Sequence, residues 1–212
     1  MTPAPVYHDD SLESSMRMAH GDIGTSTPAP LPMLALGTPR PGRTLSIYHT
    51  SAGYDLQQEL DFLSNRAMEP NVFFSSRFLA PAMPRLDDRE IRLAVIRDEN
   101  GAHSRLRLLL PFSVEKPGFA IGTPIMRAWA NPFGPLGTPL VDGENAAETI
   151  DHFLEVLGRE RNHLPPVLVL PEVRLRGPVT QMIKAIAISR NLPVAVTDPF
   201  ARPMLDSLKD GE

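Results

Sequence analysis

The segment Trp129-Ala130-Asn131-Pro132-Phe133-Gly134-Pro135-Leu136-Gly137-Thr138-Pro139-Leu140-Val141-Asp142 divides the chain into two halves built on different plans. It holds the only tryptophan, three prolines and two glycines. Such a stretch turns too often to be a helix and is too stiff to be a flexible linker. Before it, residues 124–129 form an apolar run of strand type. After it, Asn145-Ala146-Ala147-Glu148 has the spacing of a capping box, with Asn in the usual Ser/Thr position. Loops that lead from a strand into a helix are common settings for ligands, because helix N-termini carry unsatisfied N–H groups. The same pattern also serves as an ordered structural connection.

Upstream of this loop the pattern is mostly period two. Folded structure is expected to begin at Arg43, where Thr44-Leu45-Ser46-Ile47-Tyr48 alternates as a strand. Ser51 is placed to cap a helix that carries Leu56, Leu60, Leu63 and Ala67 on one face, and Glu69-Pro70-Asn71 ends it. Val72-Phe73-Phe74 follows, then a short helical piece through Phe78, Leu79 and Met83. Ile91, Leu93 and Val95 alternate with Arg92, Ala94 and Ile96, and residues 105–110 alternate again through Leu106, Leu108 and Leu110. With Asn100-Gly101 between them, these runs predict a β-hairpin whose loop exceeds two residues.

Downstream the period becomes helical. Ala147, Ile150, Phe153, Leu154 and Leu157 make one buried stripe. Residues 167–170 are wholly apolar, which predicts a strand covered on both faces. Gly177-Pro178 opens another helix with Pro at its first turn, Val179, Met182, Ile183 and Ile186 face inward, and Asn191 closes it. Val194-Ala195-Val196 reads as a last strand. An antiparallel meander followed by β–α–β units predicts an α/β fold: a mixed, partly antiparallel sheet with helices on both faces.

Composition narrows the function classes. A chain of 212 residues allows one ordinary domain with a tail, and 42% hydrophobic residues suffice for a core. A net charge of −4 gives no basic surface for nucleic acid. The absence of Cys removes disulfides, thiolate nucleophiles and cysteine zinc sites. No stretch reaches membrane-spanning length, and the N-terminus lacks the pattern of a signal peptide, so a cytoplasmic location is expected. The 23 prolines run at about twice the usual frequency. Residues 1–42 are Pro-rich and lack either period, so they are expected to be a disordered tail before the domain at 43–212.

Particular motifs suggest a family. Glu69-Pro70-Asn71-Val72-Phe73-Phe74, Trp129-Ala130-Asn131-Pro132-Phe133 and Leu136-Gly137-Thr138-Pro139-Leu140 resemble the N-terminal half of FemAB-type acetyltransferases. These proteins, described as cellulose-biosynthesis acetyltransferase-like, belong to the GNAT superfamily, and the likeness covers residues 43–206. The resemblance implies a GNAT-like fold and a transferase of the N-acyl type using acyl-CoA. Such proteins have two GNAT-like halves, the second carrying most of the donor chemistry and the first contributing to the acceptor cleft. This chain ends about where the second half would begin, so it is expected to be incomplete for turnover alone. The implied partners are a separate acyltransferase half or a second copy in a homodimer. The alternative is a non-catalytic interaction module that keeps the fold.

The residues offer binding groups more readily than catalytic ones. GNAT donor sites place Arg or Gln before a Gly-rich turn, but Pro132 and Pro135 each remove an N–H here and no basic side chain lies within the turn. No cofactor is expected to be held tightly, and acetyl-CoA is the implied co-substrate of a complete enzyme. Trp129, Asn131, Phe133 and Thr138 are candidates for an acceptor pocket, with Phe73 and Phe74 at its edge. The favoured reading of Phe73 and Phe74 is as core residues, with Asn71 as the fastener of a turn. The six histidines show no metal-ligand spacing. Ser113 and Ser189 lack a nucleophile-elbow context. His49 and Asp55 straddle the first helix start without a defined role. Arg105, Arg107, Arg174 and Arg176 read as solvated charges. The last apolar strip, Phe200, Met204 and Leu205, is a candidate association surface.

Overall fold

Two ladders of alternating apolar residues, 91–100 and 103–115, form the centre of the molecule. The computed structural model describes residues 32–36, 41–100, 103–116, 122–161, 163–197 and 199. The strands are β1 (Leu34–Leu36), β2 (Arg43–His49), β3 (Ile91–Asn100), β4 (His103–Glu115), β5 (Ile125–Ala128), β6 (Leu140–Val141) and β7 (Val167–Val169). The helices are α1 (Ala52–Asp55), α2 (Gln57–Arg66), α3 (Ser76–Leu86), α4 (Ala146–Arg159) and α5 (Pro178–Ser189), with a 3₁₀ turn at Val72–Phe74. The sheet runs β1-β2-β3-β4-β5-β7, with β6 also paired to β4. Of these pairings only β5–β7 is parallel.

Both sheet faces are covered. On one, Leu45, Ile47, Ala94, Ile96, Leu108, Leu110 and Phe112 pack with Ile150, Phe153 and Leu157 of α4 and Val179 of α5. On the other, Tyr48, Leu93, Val95, Leu109 and Trp129 pack with Leu56, with Leu60 and Leu63 of α2, and with Leu79 and Met83 of α3. The change of face within β4 has a local cause. Ile96 pairs with Leu108 while Arg97 pairs with Leu106, so Arg107 is an extra residue, a β-bulge. The bulge reverses the alternation and turns Arg107 inward.

β4 shares its outer edge between two partners. Its second half pairs with β5 and Leu108-Leu109 pairs with β6, so residues 129–139 leave the sheet between them. Pro111 sits at that gap. Its carbonyl accepts the Trp129 N–H at 2.8 Å, and in a strand the N–H and C=O of one residue point to the same side. The missing proline donor therefore faces the place where the β5 ladder stops, which is where a central strand tolerates proline.

The mixed sheet with helices on both faces matches the expectation from sequence, but several details differ. Leu34–Leu36, expected to lie in the tail, is β1, paired antiparallel to β2 from Leu34↔Ile47 to Leu36↔Leu45. It belongs to the sheet because Leu36 completes the face around Leu45 and Ile47. The hairpin ladder reaches Asn100↔His103, leaving only residues 101 and 102 between its strands, fewer than expected. Ser51 makes no side-chain cap and the helix breaks at Leu56 into α1 and α2. Asn145 is left-handed (φ 58°) and makes no side-chain cap, so the capping box does not form. Ala146 is buried in the stripe in place of Ala147. Among the described residues β7 ends the sheet, and its Val167 is exposed, so it is not covered on both faces. Residues 194–196 form no strand. α5 closes as expected: Asn191 is left-handed, its N–H bonds Ile188 O and the Leu192 N–H bonds Ala187 O, a Schellman motif. Phe200, Met204 and Leu205 lie outside the described residues.

Leu36→Ala tests whether β1 is part of the cooperative core. Because Leu36 is buried against Leu45 and Ile47, the substitution is expected to cost about 2–4 kcal/mol in urea unfolding. A loss below about 0.5 kcal/mol would mark β1 as detachable.

Candidate functional site

The segment from Trp129 to Asp142 is held at nearly every point. Gly134 N–H bonds the carbonyl of Asn131 at 3.1 Å, and Asn131 Oδ1 accepts from the N–H groups of Phe133 (2.8 Å) and Gly134 (2.9 Å). The loop tip is thus an Asx turn, which Asn favours because its short side chain mimics a backbone carbonyl. Farther on, the buried Asn71 donates from Nδ2 to Leu136 O (3.0 Å) and Thr138 O (2.7 Å), and its Oδ1 accepts from Phe73 N–H (3.1 Å). Two of the three motifs singled out in the sequence, 69–74 and 136–140, are therefore bonded to each other. Gly137 N–H donates to Pro171 O at 3.1 Å, and a Cβ there would lie 2.5 Å from that oxygen. Only glycine permits this approach.

Glu69 joins the same region to α5. Its carboxylate is buried, accepts from Val179 N–H at 3.3 Å and lies 3.5 Å from Arg174. Gly177 precedes α5 without a side chain to cap it, and a Cβ at Gly177 would meet the Glu69 carboxylate at 2.5–2.9 Å. Glu69 thus supplies from another part of the chain the negative group that a helix N-terminus favours.

The far end of the loop is fixed by charge. Asp142 Oδ2 is approached by Arg105 (2.9 Å), Arg66 (3.2 Å) and Arg107 (3.3 Å), and its side chain is 1% exposed. Arg107 also bonds Asp98 at 2.7 Å, and Asp98 pairs with Arg43 at 2.5 Å. Glu144 lies 2.6 Å from Arg105. Burial would raise the Asp142 carboxyl, but the Glu144 N–H, Arg105 and Arg66 outweigh it and hold the group below its ordinary value. Burial likewise works against Asp98, and Arg43 and Arg107 bring it down. Arg105 and Arg107, read from the sequence as solvated, are structural; the bulge that turns Arg107 inward leaves no sequence period.

Between the anchored loop and the end of β7 lies an open cleft of about 570 Å³. Arg127, Asn131, Pro132, Pro135, Pro171 and Glu172 line it. Arg127 ends the pairing of β5 with β7, opposite Val169, so the cleft lies beyond the carboxyl ends of the parallel pair. Glu172 is left-handed (φ 59°), a costly conformation for a residue with a Cβ and one found often at binding sites. Beside the cleft, Arg89 bonds Asp87 (2.6 Å) and Glu115 (2.6 Å), and its guanidinium pKa is raised by Asp87, then Glu115, against burial. Asp87 is lowered: burial opposes this, and Arg89 overcomes it with a smaller contribution from the Trp129 side chain.

The six candidate binding residues separate. Asn131 lines the cleft. Phe133 is 68% exposed beside it in the loop, and Phe73 is half-buried, edge-on to Phe78 at 5.5 Å. Phe74, Trp129 and Thr138 are fully buried, with Phe74 tilted on Trp129 at 6.3 Å, so a ligand in this cleft does not touch them. They belong to the support of the loop. Sequence reasoning missed Arg127, Pro171 and Glu172; the Pro-Glu pair directly after an apolar strand was the available signal. His49 Nδ1 contacts Ser51 Oγ at 3.1 Å, a local turn contact. Among the described residues no group of three or more His, Asp or Glu is placed to hold a metal ion.

Two substitutions test this construction. Asn71→Ala strands two buried carbonyls and is expected to cost about 2–6 kcal/mol by thermal unfolding. Removal of the Asp142 charge by Asp142→Asn is expected to cost about 2–4 kcal/mol at neutral pH, below the cost for a fully buried pair because Arg66 and Arg105 are about a third exposed. The lowered carboxyl groups stabilise the fold above the unfolded carboxyl range and lose that effect as pH falls through their folded values. Wild-type stability should therefore drop below about pH 4, and more steeply than that of Asp142→Asn. Equal acid slopes would contradict the role given to Asp142.

No protein-family model matches the chain, and no curated protein or solved structure matches it; a mixed α/β sheet by itself serves many unrelated functions.

Proposed function

We propose that the chain is an acyltransferase-related, GNAT-like domain that supplies the acceptor side of a cleft and needs a second acyltransferase half for turnover. One observation carries this reading: the cleft lies beyond the carboxyl ends of β5 and β7, where open α/β sheets place their ligands. Its wall combines one amide, one guanidinium and one carboxylate with the flat faces of three prolines, a composition suited to orienting a small polar molecule. In this reading Asn131, Arg127 and Glu172 position the acceptor, and acetyl-CoA is the co-substrate of the complete N-acyltransferase.

The donor side is expected to come from elsewhere. The connection from β5 to α4 runs through residues 129–145 and contains β6, in place of a short Gly-rich turn. The carboxylates of Asp142 and Glu144 stand just ahead of α4, at the positive end where a pyrophosphate would otherwise bind. The nearby guanidinium groups are engaged by Asp98, Asp142 and Glu144. A second reading, a non-catalytic interaction module, is favoured by the exposure of Phe133 in the loop and of Val72 in the adjoining 3₁₀ turn.

Titration calorimetry of the full chain with acetyl-CoA should show no binding tighter than about millimolar, roughly −4 kcal/mol. Lysine and glucosamine, used as amine-bearing probes, should shift the Asn131 side-chain amide resonances. Micromolar binding of acetyl-CoA would overturn the incomplete-enzyme reading. Absence of any shift with both probes would leave the interaction module as the better account.

A further inference from the structure

Two strand requirements are left unmet in the last third of the chain. β7 ends the sheet order, bonded to β5, and among the described residues no strand pairs with its outer edge. An uncovered edge presents N–H and C=O groups that bind water or another strand. Beyond α5, Val194-Ala195-Val196 has strand composition yet pairs with nothing among the described residues. Val194 is 43% and Val196 50% exposed. Val167 in β7, Ile188 in α5 and Leu192 after it are exposed as well. Single exposed apolar residues are ordinary, but beyond α5 three of the five residues 192–196 are exposed large apolar side chains.

The chemistry of the edge defines its occupant. A row of backbone donors and acceptors takes an extended backbone, and side chains beside it select small and β-branched residues. Residues 194–196 offer both. Among the described residues, each copy of the chain therefore carries an edge without a strand and a strand without an edge. A two-fold arrangement satisfies both deficits twice with the same contacts. No charged side chain occurs within 192–196 to oppose this apolar pairing.

We propose that residues 194–196 pair in trans along the outer edge of β7 of a second copy, making a homodimer by reciprocal strand addition. The surface is separate from the cleft, so this pairing stands or falls independently of the acceptor-site reading. It also assigns a role to a strand-like segment that pairs with nothing among the described residues.

The test uses the full chain, with light scattering after size exclusion over the micromolar range and hydrogen exchange at the same concentrations. A dimer is expected, with protection of the Leu168 and Ala195 amides rising together as concentration increases. Ala195→Pro removes a donor and should weaken dimerisation by about tenfold or more, with circular dichroism unchanged. If that variant does not fold, Val196→Lys, which keeps the N–H and adds a charge at the edge, should weaken it comparably. A wild type that stays monomeric with exchanging 194–196 amides would overturn the proposal. So would a monomer in which those amides are protected, since the chain's own residues would then cover the strand. A dimer indifferent to both substitutions would overturn it too.

Discussion

The carboxamide of Asn71 makes three hydrogen bonds in a site closed to water: two donated to Leu136 O and Thr138 O, one accepted from Phe73 N–H. Those bonds join the chain between α2 and α3 to a loop more than sixty residues later. Without them, two carbonyls of the loop would be buried with no donor, a cost of about 1–3 kcal/mol each. The loop in turn sets the cleft, because Asn131, Pro132 and Pro135 are parts of it and Gly137 reaches across to Pro171. Buried polar bonds of this kind specify one arrangement among several of similar apolar burial. Three links, at Asn71, Glu69 and Asp142, place the antiparallel half and the β–α–β half in register.

Charge and apolar burial divide the work between the sheet and its margins. The apolar ladders and their two helical layers supply the bulk of the stabilisation, while ion pairs stand where strands end or bulge. Arg43, Asp98, Arg107 and Asp142 form one chain of charges through the β4 bulge, and Arg105, Arg66 and Glu144 close it at the surface. Arg97 pairs with Glu59 of α2 on the opposite face. Buried charges cost desolvation, so their worth lies more in fixing position than in net stability.

Much of the architecture was legible in the residues. Period two gave the β3–β4 hairpin, period 3.6 gave the stripes of α4 and α5, and Gly177-Pro178 and Asn191 marked the two ends of α5. The failures share a cause: tertiary contacts outweigh local preference. Asn145 has the right identity for a cap, but the bridge Ala67↔Asp142 and the bond from Gly143 N–H to Arg66 O fix the chain before α4 and leave Asn145 left-handed. Leu34-Ala35-Leu36 is too short to show a period, and only the sheet it completes identifies it. For the candidate site, Asn131 was legible as a pocket candidate in the turn-rich loop after a strand-like run. Trp129 and Thr138 look like ligand contacts in sequence because large aromatics and hydroxyls often are; burial makes them supports. Arg127 gave no local signal and Glu172 only the Pro-Glu pair after an apolar strand, because parallel pairing of β5 with β7 is what brings them together.

Native-state hydrogen exchange with residue resolution tests most directly the claim that residues 129–142 form a rigid wall fixed by Asn71. The Gly137 amide, bonded to Pro171 O, and the Asp142 amide, bonded to Arg107 O, should exchange in the wild type only through the same opening that releases Leu109 and Leu110 in β4. In Asn71→Ala the Gly137 amide should exchange by a separate, lower-energy opening while β4 stays protected. A wild type in which Gly137 and Asp142 already exchange at open-loop rates, with the sheet intact, would contradict the account.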